Sequence, residues 1–124
     1  MKESFELGLQ GEAIAVDYLK KCGYEIVEQR WKDHQMEIDI ISFDVESSEL
    51  VAVEVKARSS TEWGLPEDAV DAKKIRRIVY ATDFYMKLHH ITNPVRFDII
   101  AILLTKDGGN ELRHIKDAFY PPLG

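Results

Sequence analysis

Two short runs of this chain place charge where charge is costly. Met36–Phe43 and Leu50–Ala57 are apolar and rich in β-branched residues, and they read as strands. Each is nevertheless interrupted by ionisable side chains. The first contains Met36-Glu37-Ile38-Asp39-Ile40-Ile41, and the second Val51-Ala52-Val53-Glu54-Val55-Lys56. Alternate side chains of a strand share a face. Glu37 and Asp39 are therefore expected on one face, with Ile38 and Ile40 on the other. Glu54 and Lys56 are expected to share a face opposite Val53 and Val55. The polar stretch Asp44–Glu49 between the runs suggests a hairpin. Pairing the strands would converge three carboxylates and one ammonium on one patch. Strands this apolar should be largely buried, and unpaired buried charge is expensive. Either the charges pair with one another, or a cation compensates them.

The remaining elements follow the same logic. Residues 4–22 read as a helix whose stripe of Phe5, Leu9, Val16 and Leu19 recurs at about 100° per residue. Gly23 stops it, as expected just past a helix C-terminus. Tyr24–Gln29 alternates weakly and reads as a strand. Pro66 opens a second helix, with Glu67 and Asp68 favourable to its dipole, and that helix is expected to run to about Leu88. Val95–Leu104 is apolar enough for a central strand, and Glu111–Ile115 is a short partner. The predicted order is α-β-β-β-α-β-β, an α/β domain with one mixed sheet flanked by helices. At 124 residues the chain fits one domain, residues 1–124, burying roughly two-thirds of its unfolded surface. The single cysteine, Cys22, excludes an intrachain disulfide and a multi-cysteine zinc site, and reads as a small buried side chain. No stretch resembles a signal peptide or a membrane span, so a cytoplasmic protein without membrane partners is expected.

The charged positions suit a hard divalent cation, which takes carboxylate and carbonyl oxygens and keeps several waters. Asp39 and Glu54 would each supply an oxygen, and the Val55 carbonyl a third. Lys56 would sit beside the cation, orienting or deprotonating a water or stabilising developing charge on phosphorus. The competing reading is a solvated sheet face with cross-strand pairs, which suffices for a lone acid–lysine pair. The combination of E-x-D and E-x-K within apolar strands is harder to explain that way. Glu12 lies in the middle of the sheet-facing stripe of the first helix and is a candidate fourth ligand, direct or through water. Lys74 and Arg58 are candidate phosphate contacts, against plain surface lysine and arginine roles. Lys73, Lys74, Arg76 and Arg77 form a basic run that suits either a solvated helix face or a nucleic-acid backbone. Trp63 would wedge DNA or fill a local apolar cluster. His34 reads as a loop histidine. His89, His90 and His114 show no ligand spacing. Arg96 and Asp98 share a strand face and should form a structural ion pair.

These residues resemble the PD-(D/E)XK nuclease superfamily, in which an acid precedes a hairpin carrying (D/E)-x-K. The chain is more closely similar to the small YraN-like family of predicted endonucleases, itself distantly similar to archaeal Holliday junction resolvases. The resemblance rests on Gly11-Glu12, Gly23-Tyr24, Glu37-Ile38-Asp39 and Val53-Glu54-Val55-Lys56. It continues through Arg58, Gly64, Pro66, Lys74, Tyr85 and Arg96-Phe97-Asp98. It implies a restriction-endonuclease-like fold, metal ligands at Asp39 and Glu54, a catalytic Lys56 and an accessory acid at Glu12. Two departures stand out: Met36 replaces the glycine usual before E-I-D, and Gln29-Arg30-Trp31 lacks a common asparagine. The expected activity is Mg²⁺-dependent hydrolysis of phosphodiester bonds, with Mn²⁺ able to substitute. DNA is the first substrate candidate, in branched or repair intermediates, and RNA the second. Glu12 or Glu37 would bind a second ion or water. The alternative is a non-catalytic module that binds nucleic acid or a protein on the same fold. A homodimer is compatible with either.

The chain's net charge of −6, from 22 acids and 16 Lys plus Arg, at first argues against nucleic acid. Setting aside Glu12, Glu37, Asp39 and Glu54 leaves 18 acids against 16 bases, which is nearly balanced. Any affinity for nucleic acid should then be weak, salt-sensitive and metal-dependent.

Overall fold

A computed structural model describes residues 2–62 and 64–120. Five strands form one sheet in the order β1 (Tyr24–Asp33), β2 (Met36–Asp44), β3 (Glu49–Arg58), β4 (Val95–Leu104), β5 (Asn110–Ile115). All neighbours are antiparallel except β3 and β4, which run parallel. A parallel pair needs a crossover; here it carries a 3₁₀ turn (Pro66–Ala69) and helix α2 (Ala72–Leu88). Helix α1 (Lys2–Lys21) precedes the sheet.

The two helices cover opposite faces. Ala15, Val16 and Leu19 of α1 pack with Ile40, Val51, Val53, Val55, Ile100 and Ile102. Ile78, Ala81 and Tyr85 of α2 pack with Ile38, Ile41, Leu50, Ala52, Phe97 and Ile99. Odd positions of β3 thus face α1 and even ones face α2, and both faces are apolar because both are covered. This is the mixed-sheet, helix-flanked α/β layout of a restriction-endonuclease-like fold. Among the described residues no helix is long and apolar enough to cross a membrane.

Several local expectations change. The helix expected from Pro66 to Leu88 is two pieces. Val70 leaves helical geometry at φ −92°, ψ 88°, and Asp71 caps α2 by accepting the Lys74 N–H at 2.9 Å. Strand β1 continues past Gln29 to Asp33 and turns into β2 at His34, whose φ is +55° and whose side chain is exposed. Cys22 is exposed rather than buried. The stripe on α1 is buried at Val16 and Leu19 but exposed at Phe5 and Leu9. The expectation for Trp63 lies outside the described residues.

The largest correction concerns β2. Ile38 and Ile40 do not share a face: Ile40 packs in the α1 layer and Ile38 in the α2 layer. The β1–β2 register passes from Gln29↔Ile40 to Trp31↔Ile38, skipping Arg30 and Asp39, and Arg30 has φ +49°. A left-handed residue inside a strand twists the ladder sharply. The hairpin tip therefore rotates relative to the sheet, and Asp39 lies at the rotation.

Candidate metal centre

The β2–β3 ladder ends at Ile40↔Val53, one residue short of Asp39 and Glu54. Past that point β3 stays paired to β4 while β2 swings away. The Val55 N–H, left without a strand partner, donates instead to Asp39 Oδ2 at 2.8 Å. A strand residue's N–H and C=O leave on the same edge. The Val55 carbonyl thus faces the same opening. One carboxylate oxygen is pinned, and its neighbour Oδ1 and the carbonyl are left for other partners.

Glu54 lies on the α2 side of β3 and is 3% exposed. Its Oε1 is 3.7 Å from Lys56 Nζ and 3.4 Å from Lys74 Nζ. These separations are longer than hydrogen bonds, so the carboxylate is attended but not fully compensated. Burial, and then the charge of Asp39, push the Glu54 carboxyl up to about 7 against the pull of both lysines. Burial also raises Asp39, although the Val55 amide and Lys74 oppose it. Across the opening, Glu12 of α1 is pushed up to about 7 by burial and by Asp39. Arg30 Nε, 3.7 Å from Glu12 Oε2, pulls the other way. Gly11 brings α1 this close, since a Cβ there would stand 2.8 Å from Ala57 Cβ. Three carboxyls with raised pKa values thus lie along one line through the sheet, Asp39 between Glu12 on the α1 side and Glu54 on the α2 side.

Asp39, Glu12, Glu37, Arg30, Lys32 and Val55 line a cavity of about 290 Å³ whose rim carries the exposed Phe5 and Leu9. Glu37 is exposed and also lines a second cavity with Lys74 and Arg77. Of the expected residues, the structure brings together Asp39, Glu54, Lys56, Lys74 and Val55, with Glu12 beside Asp39 and Glu37 at the rim. It does not bring Arg58 there: that side chain is exposed and lines neither cavity. Arg30 and Lys32 are site residues that sequence reasoning missed. Their signal was alternation of bases on β1 opposite acids on β2, hidden while β1 ended at Gln29.

Among the described residues, no group of three or more His, Cys, Asp or Glu side chains is arranged to hold a metal ion by itself. The donor set is two carboxylates and a backbone carbonyl, all hard oxygens. That set fits Mg²⁺ or Mn²⁺, which bind through one or two carboxylates and keep waters. A dication would also offset the burial that raises both carboxyls and the charge of Asp39 that further raises Glu54.

The other end of the same ladder holds a second buried charge cluster. Arg96 bonds Asp98 through Nε (2.9 Å) and Nη2 (3.0 Å), the ion pair expected from the sequence. It also bonds Asp44 (3.0 Å), Glu49 (3.1 Å) and the Tyr24 hydroxyl (2.6 Å). All five guanidinium N–H groups are thereby placed. His114 Nε2 donates to Asp98 at 2.6 Å, which leaves Nδ1 to accept from the Tyr18 hydroxyl at 3.1 Å. The Asp117 amide adds a bond to Asp98.

Comparison with known proteins adds the kinship. A family model described as "Uncharacterised protein family UPF0102" matches residues 11–102, a span that includes Glu12, Glu37, Asp39, Glu54, Lys56 and Lys74. A UPF0102 protein of Bacteroides thetaiotaomicron is 50% identical over 123 residues, 99% of each chain. One of Bacteroides fragilis is 49% identical over 123 residues, again 99% of each. One of Persephonella marina is 42% identical over 113 residues, 90% of this chain and 91% of its own.

Proposed function

The chain belongs to the UPF0102 family, and from its carboxylate centre we propose that it is a metal-dependent endonuclease acting on DNA. The observation that carries this reading is the pair Asp39–Glu54 at the end of the β2–β3 ladder. A buried Glu54 and a half-buried Asp39 stand together, each raised chiefly by burial and Glu54 further by the charge of Asp39, with two ammonium groups set 3.4 and 3.7 Å from Glu54 Oε1. A protein stabilised by such a pair would draw the lysines into hydrogen-bond contact. A binder of nucleic acid would gain nothing from buried acids facing a polyanion.

A divalent cation bound at this centre would supply Lewis acidity and a water of lowered pKa. The protein's own part follows from its geometry. Asp39 is oriented by the Val55 amide through Oδ2, and Glu54 presents its carboxylate from the adjacent strand. With those charges engaged, the Lys56 and Lys74 ammonium groups are free to meet phosphoryl oxygens, where negative charge grows as the bond to phosphorus breaks. Glu12, raised to about 7, lines the cavity over Asp39 and is poised near neutral pH to take a proton from the attacking water. Attack of water oxygen on phosphorus and departure of the 3′ oxygen, which takes a proton from solvent, would leave a 5′-phosphate and a 3′-hydroxyl.

The test uses end-labelled branched, nicked and single-stranded DNAs with Mn²⁺, comparing wild type with Asp39→Asn and Glu54→Gln. Cleavage by wild type that falls to background in both variants is expected. Equal cleavage by all three would overturn the reading, as would absence of Mn²⁺ binding by wild type at millimolar metal in a calorimetric titration.

A further inference from the structure

Helix α2 opens with four cations in five residues: Lys73, Lys74, Arg76 and Arg77. Lys74 turns inward to Glu54. Lys73, Arg76 and Arg77 stay exposed, and among the described residues none of them forms an ion pair. In a chain with a surplus of six acids, these three cations form a local positive patch that complements a polyanion. At helical spacing Lys73, Arg77, Tyr80 and Phe84 fall on one stripe. Phe84 leans on Trp31, with ring centroids 6.2 Å apart. Tyr80 projects freely at 66% exposure.

This stripe adjoins the carboxylate centre. Arg77 and Lys74 line one cavity with Glu37, and Glu37 also lines the cavity over Asp39 and Glu12. A strand whose phosphate lay at the centre would continue onto α2. Its phosphates would meet cations there. A base that reached Tyr80 could stack on the phenol ring only if its own face were unpaired and unstacked, since duplex bases hide their faces. A second copy of this chain is a poorer occupant. Two stripes packed antiparallel would set Lys73 and Arg77 of each copy against an end of the other whose Lys87 is already paired with Asp83, leaving the three cations without a complementary surface.

Resting on the endonuclease reading, we infer that this face of α2 holds the strand beside the centre, with phosphates on Lys73, Arg76 and Arg77 and an unpaired base on Tyr80. The substrate is then DNA carrying a single-stranded segment next to the cleaved bond, rather than plain duplex.

The experiment measures fluorescence anisotropy of a labelled DNA with a single-stranded arm and of a blunt duplex of equal length. Ca²⁺ replaces Mg²⁺ so that binding is read without turnover. Tyr80→Ala should weaken binding of the armed DNA roughly tenfold and leave the duplex within about twofold, while Tyr80→Phe keeps wild-type affinity for both. Arg77→Ala should weaken both DNAs and lower the salt slope by about one. Equal affinity of Tyr80→Ala and wild type for the armed DNA overturns the inference, and so does a wild type that binds neither DNA. A wild-type dimer that Tyr80→Ala dissociates with DNA affinity unchanged also overturns it. The expected binding pattern without Mn²⁺-dependent cleavage leaves this surface standing and overturns only the endonuclease reading.

Discussion

At the Arg96 cluster five N–H donors reach four acceptor groups at 2.6 to 3.1 Å. At the Asp39–Glu54 centre, one backbone amide bonds one carboxylate, and the nearest cations stand 3.4 to 3.7 Å away. Both clusters occupy the same β2–β3 ladder, at opposite ends, and both are largely buried. Their titration differs in sign. Burial works to raise Asp98, but bonds from His114, Arg96 and the Asp117 amide hold it below the usual carboxylate range. Asp44 is lowered too, mainly by Arg96 overcoming its burial. Asp39, Glu54 and Glu12 are all raised, with burial as the leading cause. A sheet that compensates buried charge with short bonds at one end compensates it only loosely at the other. The satisfied end reads as architecture, and the unsatisfied end as a place prepared for something the chain does not itself supply.

The largest effect expected from breaking this contrast is at the satisfied end. Arg96→Met strands Asp44, Glu49 and Asp98 without their shared cation. The loss should be about 3–5 kcal/mol in urea unfolding, or a fall in Tm on the order of 10 °C. A loss below about 1 kcal/mol would mean that the cluster is no more structural than the centre.

The unsatisfied end should respond in the opposite direction. In metal-free protein above pH 7, Glu54→Gln removes a disfavoured buried charge and should leave stability unchanged or raise it, by about 1–3 kcal/mol. The pH profile separates the two ends. A carboxyl raised in the fold keeps a proton that the unfolded chain releases, so stability falls as pH rises from the unfolded value of 4.5 to about 7, and is level above that. Glu12 acts in the same sense. Asp98 and Asp44, lowered in the fold, contribute stability above their unfolded value of 3.8 and lose it as pH falls through their folded values. Thermal melts from pH 3 to 8 should therefore show two limbs. Glu54→Gln should flatten the limb between 4.5 and 7, and Arg96→Met the acid limb. A Glu54→Gln profile parallel to wild type would remove the claimed contrast.

What the sequence made legible follows from range. Gly23 ending α1, the β2–β3 hairpin, the central β4 and the Arg96–Asp98 pair rest on spacing of a few residues, where periodicity and turn chemistry act. Asp39 and Glu54 were visible because acids inside apolar strands contradict their surroundings. The break at Val70 was hidden because Asp71 is one polar residue among several, and only its bond to the Lys74 amide makes it a cap. Ile38 and Ile40 were misassigned to one face because strict alternation assumes a regular ladder, and the left-handed Arg30 breaks it. Lys74 near Glu54, and His114 between Tyr18 and Asp98, depend on packing of distant elements. Residue type and spacing carry no such information.

The smallest effect bears on how the centre is assembled. Glu12 can face Asp39 only because α1 lies close on β3, and Gly11 sets that approach. A Cβ at Gly11 would sit 2.8 Å from Ala57 Cβ and 3.6 Å from Val55 Cγ1. The first distance is too short for two carbons, so helix or strand must shift. Gly11→Ala should cost about 1–2 kcal/mol, at the lower end for overpacking because Ala57 lies near the end of β3. The shift also moves Glu12 away from the cavity. On the endonuclease reading, cleavage should then fall by more than the stability loss accounts for, at temperatures where the variant is folded. Removing the offending partner separates the two effects. Gly11→Ala with Ala57→Gly relieves the contact and should recover most of the stability and most of the activity together. Recovery of stability alone would mean that Glu12 has no part at the centre. A Gly11→Ala variant as stable and as active as wild type would mean that the closeness of α1 to β3, and with it the placement of Glu12, is not what sets the unsatisfied end apart.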